Sequence, residues 1–180
     1  MINELKHIIE KIYINGEKDI FIDGCNKKLG FIEEIVMQYE NSIPKIQLSD
    51  DDNLPSKEMY FKFEDFCKGE FKVSYSSVLS ISKVCKVFYL QHEFSIDNVD
   101  DNRMDLTLDS FGDQPYTKQQ FVFDEDIVSF MLKQGYYRLT CSELEKVIPS
   151  IEMPKDSIFG IQMTVENAIF RDVWEIYTEK

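Results

Sequence analysis

The side chains best suited to chemistry lie in one acidic run, residues 94 to 113, "FSIDNVDDNRMDLTLDSFGD". Carboxylates at this density can hold a metal ion, act as a catalytic acid and base, or attract a basic partner. They can also be the turn and solvated face of a β-hairpin, where Asp and Asn are common. The run has one cation, Arg103, and six aspartates: Asp97, Asp100, Asp101, Asp105, Asp109 and Asp113.

The spacing of these aspartates does not match a calcium-binding loop. An EF-hand places oxygen ligands at its first, third and fifth positions and glycine at its sixth. Counted from Asp97, the third residue is Val99; counted from Asp101, it is Arg103. An irregular divalent site formed by Asp100, Asp101 and a distant partner stays open, but we expect no metal and no cofactor.

The sequence also lacks a recognisable catalytic arrangement. On one strand, Asp105 and Asp109 share a face but lie about 13 Å apart, farther than the paired carboxylates of glycosidases. No metalloprotease, P-loop, dinucleotide-binding or nucleophile-elbow motif occurs. The serines of "SYSSVLSIS" have no His or Asp partner at a recognisable spacing, so we expect them to line the polar side of a strand or turn. We predict that the chain is not an enzyme.

The histidines and cysteines favour structural roles. His92, in "LQHEF", alternates with Leu90 and Phe94, which predicts a hydrogen-bonded, semi-buried side chain rather than a catalytic one. His7 is expected at the surface. The four cysteines lie far apart, without a Cys-x-x-Cys pair, and are expected to be reduced thiols of the core. They are Cys25, Cys67, Cys85 and Cys141.

Composition limits the class of protein and of partner. The chain has 180 residues, 43% of them hydrophobic, which predicts one folded domain over residues 1–180. Its formal charge of −13 disfavours direct binding to nucleic acid or an anionic membrane and favours basic partners. We find no signal-peptide pattern and no membrane-spanning run, so a cytoplasmic location is expected.

The periodicity of apolar residues predicts the elements that position the acidic run. Leu5, Ile8, Ile9 and Ile12 form one stripe of an amphipathic helix ended by Asn15-Gly16. "DIFID" is expected to be a strand. Residues 28 to 39 are expected to be a helix, with a strand as the alternative because Phe31, Glu33 and Ile35 also alternate. After Pro55 the alternating segments "MYFKF", "FKVSY", "KVCKVFYLQHEF" and "RMDLTLDSF" predict strands. The last two flank "IDNVDDN" and are expected to form an antiparallel hairpin.

Helices and a second hairpin are expected in the last third of the chain. Asp124 is the predicted N-cap of a helix that ends at Gly135. Thr140 and Glu143 have capping-box spacing, which predicts a short helix before Pro149. "SIFGIQMTV" and "AIFRDVWEIY" are expected to pair as strands, turning near Glu166. The fold class is therefore α+β: a mainly antiparallel sheet with an N-terminal amphipathic helix and two shorter helices packed on it.

Two aromatic residues near the end of the chain have two interpretations. Trp174, in "RDVWEIY", either anchors the core or, exposed beside Tyr177, anchors an interface, because Trp and Tyr are frequent in binding hot spots. The sequence does not separate these alternatives.

In overall build the chain resembles the immunity proteins of bacterial polymorphic-toxin and contact-dependent growth-inhibition systems. The features that carry the resemblance are "IDNVDDNRMDLTLD", the acidic loop "SDDDN" and the aromatic segment "FRDVWEIYTEK". The resemblance implies a cytoplasmic protein that neutralises the C-terminal toxin domain of a cognate effector, in many cases a basic nuclease. Partner-binding residues would be Asp97, Asp100, Asp101, Asp105, Asp109, Trp174 and Tyr177.

Alternative functions stay open at this point. An acidic inhibitor that mimics nucleic acid would use the same charge against another target. An enzyme with an unfamiliar carboxylate site that includes His92, or a regulatory interaction domain, would use different chemistry. The sequence does not indicate an oligomeric state.

Overall fold

A computed structural model describes residues 3–51, 53–98, 100, 102, 108–155, 157, 160–173 and 175. The helices within these ranges are α1 (Asn3–Ile9), which continues as a π-helical turn (Glu10–Ile14), α2 (Lys18–Asn26), α3 (Ile32–Tyr39), α4 (Lys118–Lys133), α5 (Cys141–Leu144) and α6 (Val165–Phe170). The strands are β1 (Lys45–Leu48), β2 (Ser56–Lys62), β3 (Phe66–Lys68), β4 (Phe71–Ser82), β5 (Val87–Asn98), β6 (Leu108–Gly112), β7 (Tyr137–Leu139), β8 (Val147–Glu152) and β9 (Gln162–Thr164).

Seven of these strands form one sheet that is antiparallel except at β7. The order is β1-β2-β4-β5-β6, with β3 also paired to β4 and β7 paired in parallel to β5. Strands β4 and β5 form a long hairpin in which Phe71 lies opposite Asn98 at one end and Ile81 opposite Phe88 at the other. β8 and β9 form a separate two-stranded sheet. The predicted fold class, α+β with a mainly antiparallel sheet, is confirmed.

Strand alternation divides the core into two clusters, one on each face of the sheet. Met59, Phe61, Leu79, Phe88 and Leu90 face one side and pack with buried residues of α3 and α4. The opposite side of β5 packs against the amphipathic stripe of α1 and against α2, α5 and α6. Both clusters lie toward the β4–β5 turn, so the other end of the hairpin extends beyond them.

Several local predictions are confirmed. Leu5, Ile9 and Ile12 are buried along one face of α1 and its π-helical turn. α5 begins with the predicted capping box, in which the Thr140 side chain accepts from the Glu143 backbone N–H. Strand β5 covers most of "KVCKVFYLQHEF", and the part of "RMDLTLDSF" that the structure describes forms β6, antiparallel to β5.

The predicted strand "DIFID" is wrong, because this segment belongs to helix α2. Phe21, Gly24 and Cys25 are buried at helical spacing. The five residues of "DIFID" are too few to show that periodicity in the sequence. Gly24, which directly follows the predicted strand, lies inside the helix and lets it approach the β4–β5 turn. A Cβ there would lie 3.0 Å from the Val84 Cα atom.

The predicted N-cap of α4 is also wrong. The helix begins two turns earlier, where the Thr117 side chain accepts from the Gln120 backbone N–H and Gln120 completes a capping box. Asp124 therefore lies inside the helix, where its carboxylate is available to other elements. The predicted end is confirmed, since Gly135 has a φ of +79°.

The expected C-terminal hairpin does not form in the described residues. Residues 165–170 are helix α6, capped by the Thr164 side chain, and β9 pairs with β8 instead. The cysteine prediction needs a correction as well. Cys25 and Cys85 are buried, and burial raises the pKa of each thiol to about 12, but Cys67 is exposed and Cys141 half-buried.

None of the helices formed by the described residues has both the length and the apolar character needed to cross a lipid bilayer.

Candidate functional site

Part of the acidic run lies at the end of the sheet that extends beyond both core clusters. Asp97 is on β5 opposite Lys72 of β4, and Asp109 is on β6 opposite Ser95. The Asp100 carboxylate accepts from the Asn102 backbone N–H at 3.0 Å, as in an ordinary Asx turn. The predicted site residues Asp101, Asp105, Trp174 and Tyr177 lie outside the described residues.

Exposed apolar residues lie at this same end, and sequence reasoning did not identify them. Register places Phe66 opposite Val73, Val73 opposite Ile96, and Ile96 opposite Leu108, so all four share one face. Phe71 lies on that face too, two residues before Val73. Phe66, Phe71 and Leu108 are 55%, 53% and 61% exposed. We call these five residues the apolar tip.

The opposite face of the same strands is polar. It carries Asp97 and Asp109, and also Glu93, which lies opposite the exposed Phe111. The Glu93 carboxylate is fixed by two donors, Ser76 Oγ at 2.8 Å and Gln91 Nε2 at 2.7 Å. This end of the sheet thus presents carboxylates together with Phe111 on one side and the apolar tip on the other.

Cations also lie near this end, so its charge is not uniformly negative. The carboxylate of Asp65 pairs with Lys72 at 2.8 Å and with Lys62 at 3.6 Å. The hydrogen bond from Lys72 holds the pKa of Asp65 below its usual range. Asp97 therefore shares Lys72 with Asp65.

A second group joins serine, histidine, aspartate and arginine; its serine and histidine are fully buried, and its aspartate and arginine are partly exposed. The Ser77 hydroxyl lies 2.8 Å from His92 Nδ1, and His92 Nε2 lies 2.9 Å from an Asp124 carboxylate oxygen. Arg138 donates to both Asp124 oxygens, at 2.9 and 2.7 Å. Because an ionised carboxylate only accepts hydrogen bonds, His92 Nε2 carries a proton.

This group has the residue types of a serine-hydrolase triad but not its geometry. In such triads the serine bonds to Nε2 and the aspartate to Nδ1, whereas here the nitrogens are exchanged. Ser77 and His92 are both 0% exposed, so no substrate reaches the hydroxyl in this arrangement. His92 is hydrogen-bonded as predicted, and more deeply buried than expected. We call this group the buried polar chain.

The buried polar chain fixes the charge of Asp124 and anchors β6. Burial alone would raise the pKa of Asp124, but hydrogen bonds from His92 and Arg138 outweigh it and hold the pKa below its usual range. Arg138 also donates to the Asp113 carbonyl at 3.4 Å. The Asp113 carboxylate in turn accepts the Cys141 backbone N–H, at 3.0 and 3.1 Å, at the start of α5.

No group of three or more His, Cys, Asp or Glu side chains in the described ranges is arranged to hold a metal ion. The irregular divalent site that the sequence left open included Asp101, which is not among those residues.

Comparison with known proteins gives no relative: no family profile, no curated protein and no solved structure matches this chain.

Proposed function

We propose that this protein is a cytoplasmic immunity protein that binds and neutralises the toxin domain of a cognate effector, a basic domain such as a nuclease. The observation that carries the proposal is the end of the β4–β5–β6 sheet farthest from the β4–β5 turn. It exposes Phe66, Phe71 and Leu108 on one face and carries Asp97 and Asp109 on the other, with Asp100 in the adjoining turn. The overall acidic charge and the resemblance in build support the same role.

The two kinds of side chain would have different tasks in such an interface. Carboxylates attract a cationic surface and speed encounter, but they add less to the lifetime of the complex. Aromatic and aliphatic anchors that lose their contact with water supply most of the affinity. A domain that grips nucleic acid presents cations arranged for phosphates, and carboxylates can occupy the same groove.

Titration calorimetry tests the proposal directly. The binding partner is the C-terminal domain encoded by the adjacent large open reading frame, titrated at low and at moderate salt. We expect nanomolar affinity that weakens as salt rises, because exposed charge pairs are screened. A folded protein that shows no heat of binding at either salt concentration would contradict the proposal.

Variants in which Asn replaces Asp test whether this end of the sheet binds the partner. Asp97→Asn, Asp100→Asn and Asp109→Asn together should slow association and flatten its salt dependence, because they remove three carboxylates from the far end of the sheet. The matched control removes three exposed acids around α2, at the opposite end, through Glu17→Gln, Asp19→Asn and Asp23→Asn. Equal effects of the two sets would exclude the proposed surface.

A further inference from the structure

A cavity lies between helices α3 and α4, on the face of the sheet that α4 covers. It has a volume of about 400 Å³ and is enclosed by the end of α3, the α3–β1 connection, the residue that follows β2 and the first half of α4. Pockets for small organic molecules span about 300–1,000 Å³. The cavity is therefore large enough for a ligand of that kind.

The apolar part of the cavity lining is built mainly from aromatic rings. The ring centroid of Phe123 lies 5.0 Å from that of Tyr39 and 5.6 Å from that of Phe63, both in edge-to-face contact. These three side chains and Ile43 are buried, and the exposed Val122 completes the apolar lining. Buried rings packed in this way hold one another in place, so the cavity offers a preformed surface to an apolar group.

The charged part of the lining consists of one cation and one anion on the same helix, Lys118 and Asp126. Neither side chain forms an ion pair within the ranges that the structure describes. The negative charge of Asp126 adds to burial in raising the pKa of Tyr39, so this carboxylate lies near the aromatic lining. At a helical rise of 1.5 Å per residue, the two Cα atoms are about 12 Å apart, with Val122 midway between them.

This arrangement of charges indicates the length of the ligand. An apolar surface with a cation at one end and an anion at the other is complementary to a molecule with opposite charges at its own ends. A free amino acid carries its ammonium and carboxylate on one carbon atom, which is too close together to reach both residues. Three residues of extended chain span about 10–11 Å, close to the separation of Lys118 and Asp126.

We propose that this cavity binds a short peptide of about three residues that has free ends and an apolar middle side chain. The carboxylate of the peptide pairs with Lys118 and its ammonium pairs with Asp126. The middle side chain packs on Phe63, Phe123 and Val122. The cavity shares no residue with the proposed toxin-binding surface, and the inference does not rest on the proposed function.

Calorimetry of the full chain with glycyl-phenylalanyl-glycine tests the site. We expect saturable one-to-one binding with a Kd below about 1 mM. Triglycine should bind about tenfold or more weakly, because it has no side chain to bury. The same loss is expected for the phenylalanine peptide acetylated at its N-terminus and amidated at its C-terminus, because it carries neither charge.

Two variants of exposed residues test the orientation of the peptide. Lys118→Gln should weaken binding of the free peptide about threefold to fivefold, the effect of one exposed ion pair, and should not affect the peptide amidated only at its C-terminus. Asp126→Asn should behave in the same way toward the free peptide and should not affect the peptide acetylated only at its N-terminus. This dependence on the matching end of the peptide separates direct pairing from an indirect effect on the fold.

Lys133→Gln and Glu125→Gln are the matched controls, because they remove the same charges from exposed positions of α4 outside the cavity. Their affinity for the free peptide should stay within about twofold of the unmodified protein, with circular dichroism confirming that every variant is folded. Absence of saturable binding at millimolar peptide would overturn the proposal. So would equal affinity for triglycine or the doubly blocked peptide, an unchanged affinity in either cavity variant, or an equal loss in its control.

Discussion

His92 depends on two partners that come from different elements. Ser77 of β4 and Asp124 of α4 satisfy its two ring nitrogens, and Arg138 of β7 completes the arrangement. A buried polar group without a partner costs free energy, so each member stabilises the fold by satisfying the next. The buried polar chain therefore links helix α4 to the sheet through hydrogen bonds.

Ser77→Ala should lower the free energy of unfolding by about 1–3 kcal/mol, because it leaves His92 Nδ1 buried without a partner. Urea denaturation followed by tryptophan fluorescence and circular dichroism measures the change. Ser80→Ala, the same substitution on the same strand at a half-buried position, should change stability by no more than about 0.5 kcal/mol. Equal losses in the two variants would show that Ser77 makes no special contribution.

Asp124 makes stability depend on acid pH. Its pKa in the folded protein is below its usual range, and the unfolded value is about 3.9. The resulting stabilisation is present above about pH 4 and is lost as pH falls through the folded-state pKa. Asp124→Asn should cost about 2–3 kcal/mol at pH 7.

Denaturation of the unmodified protein and Asp124→Asn between neutral and strongly acid pH measures this effect. The difference between the two should shrink below about pH 4. Asp65, whose pKa is also lowered, is present in both proteins and so cancels in the difference. A constant difference over the whole range would contradict the assignment.

At the scale of elements, α4 is attached to the sheet through its first turn. Gln120 is 0% exposed and donates to the Ser76 carbonyl at 2.8 Å and the Glu93 carbonyl at 3.1 Å. The side-chain amide oxygen of Gln120 accepts from the backbone N–H groups of Tyr116 and Thr117. One side chain thus caps the helix and positions it on β4 and β5.

Gln120→Glu should destabilise the fold by about 3 kcal/mol or more at pH 7, because it places a carboxylate against two carbonyl oxygens. Gln119→Glu makes the same chemical change at the preceding exposed position and should have an effect within about 0.5 kcal/mol. Thermal unfolding of both variants gives the comparison, and a similar midpoint for the two would disprove the attachment.

Elements with long apolar periodicity were predictable from the sequence, and short ambiguous ones were not. Of the two capping boxes, the one at Thr140 was identified and the one at Thr117 was missed. The stripe of α1 and the Thr140 capping box each depend on neighbours a few residues apart. The identity of α2 and α6 depends on what they pack against, which no local pattern contains. The Ser77–His92–Asp124 contacts were missed because they require the β4–β5 register and the true start of α4.

The acidic part of the candidate site was foreseen and its apolar part was not. A dense run of carboxylates can be read directly from the sequence. The apolar tip is exposed only because the strands extend beyond the helices that would cover them, which depends on the tertiary structure. Alternation in "FKVSY" placed Phe71 and Val73 on one face, but nothing local indicated that this face would be exposed.

At the scale of the whole molecule, the apolar tip should matter for binding and not for stability. If the proposed complex with a toxin domain forms, Phe66→Ser/Phe71→Ser should speed its dissociation about tenfold or more, as expected for loss of a hot spot. The free protein should keep its unfolding midpoint, because both side chains are more than half exposed. Surface plasmon resonance and thermal unfolding give the two quantities.

Phe121→Ser is the control for that pair, because Phe121 is 51% exposed on α4 and lies outside the tip. It should leave dissociation unchanged. If it speeds dissociation as much as the tip variants do, the binding surface includes α4 instead.

The length of the β4–β5 hairpin also affects which substitutions the fold can tolerate. The end of the hairpin at the β4–β5 turn is held between two buried clusters. The opposite end, called the far end, contributes little to either cluster. Substitutions at the far end are therefore inexpensive for folding, since most large losses of stability arise in cores and buried polar networks. If this end is the proposed binding surface, that surface can change while the cores and the buried polar chain stay constant, so a new partner could be matched without a new fold.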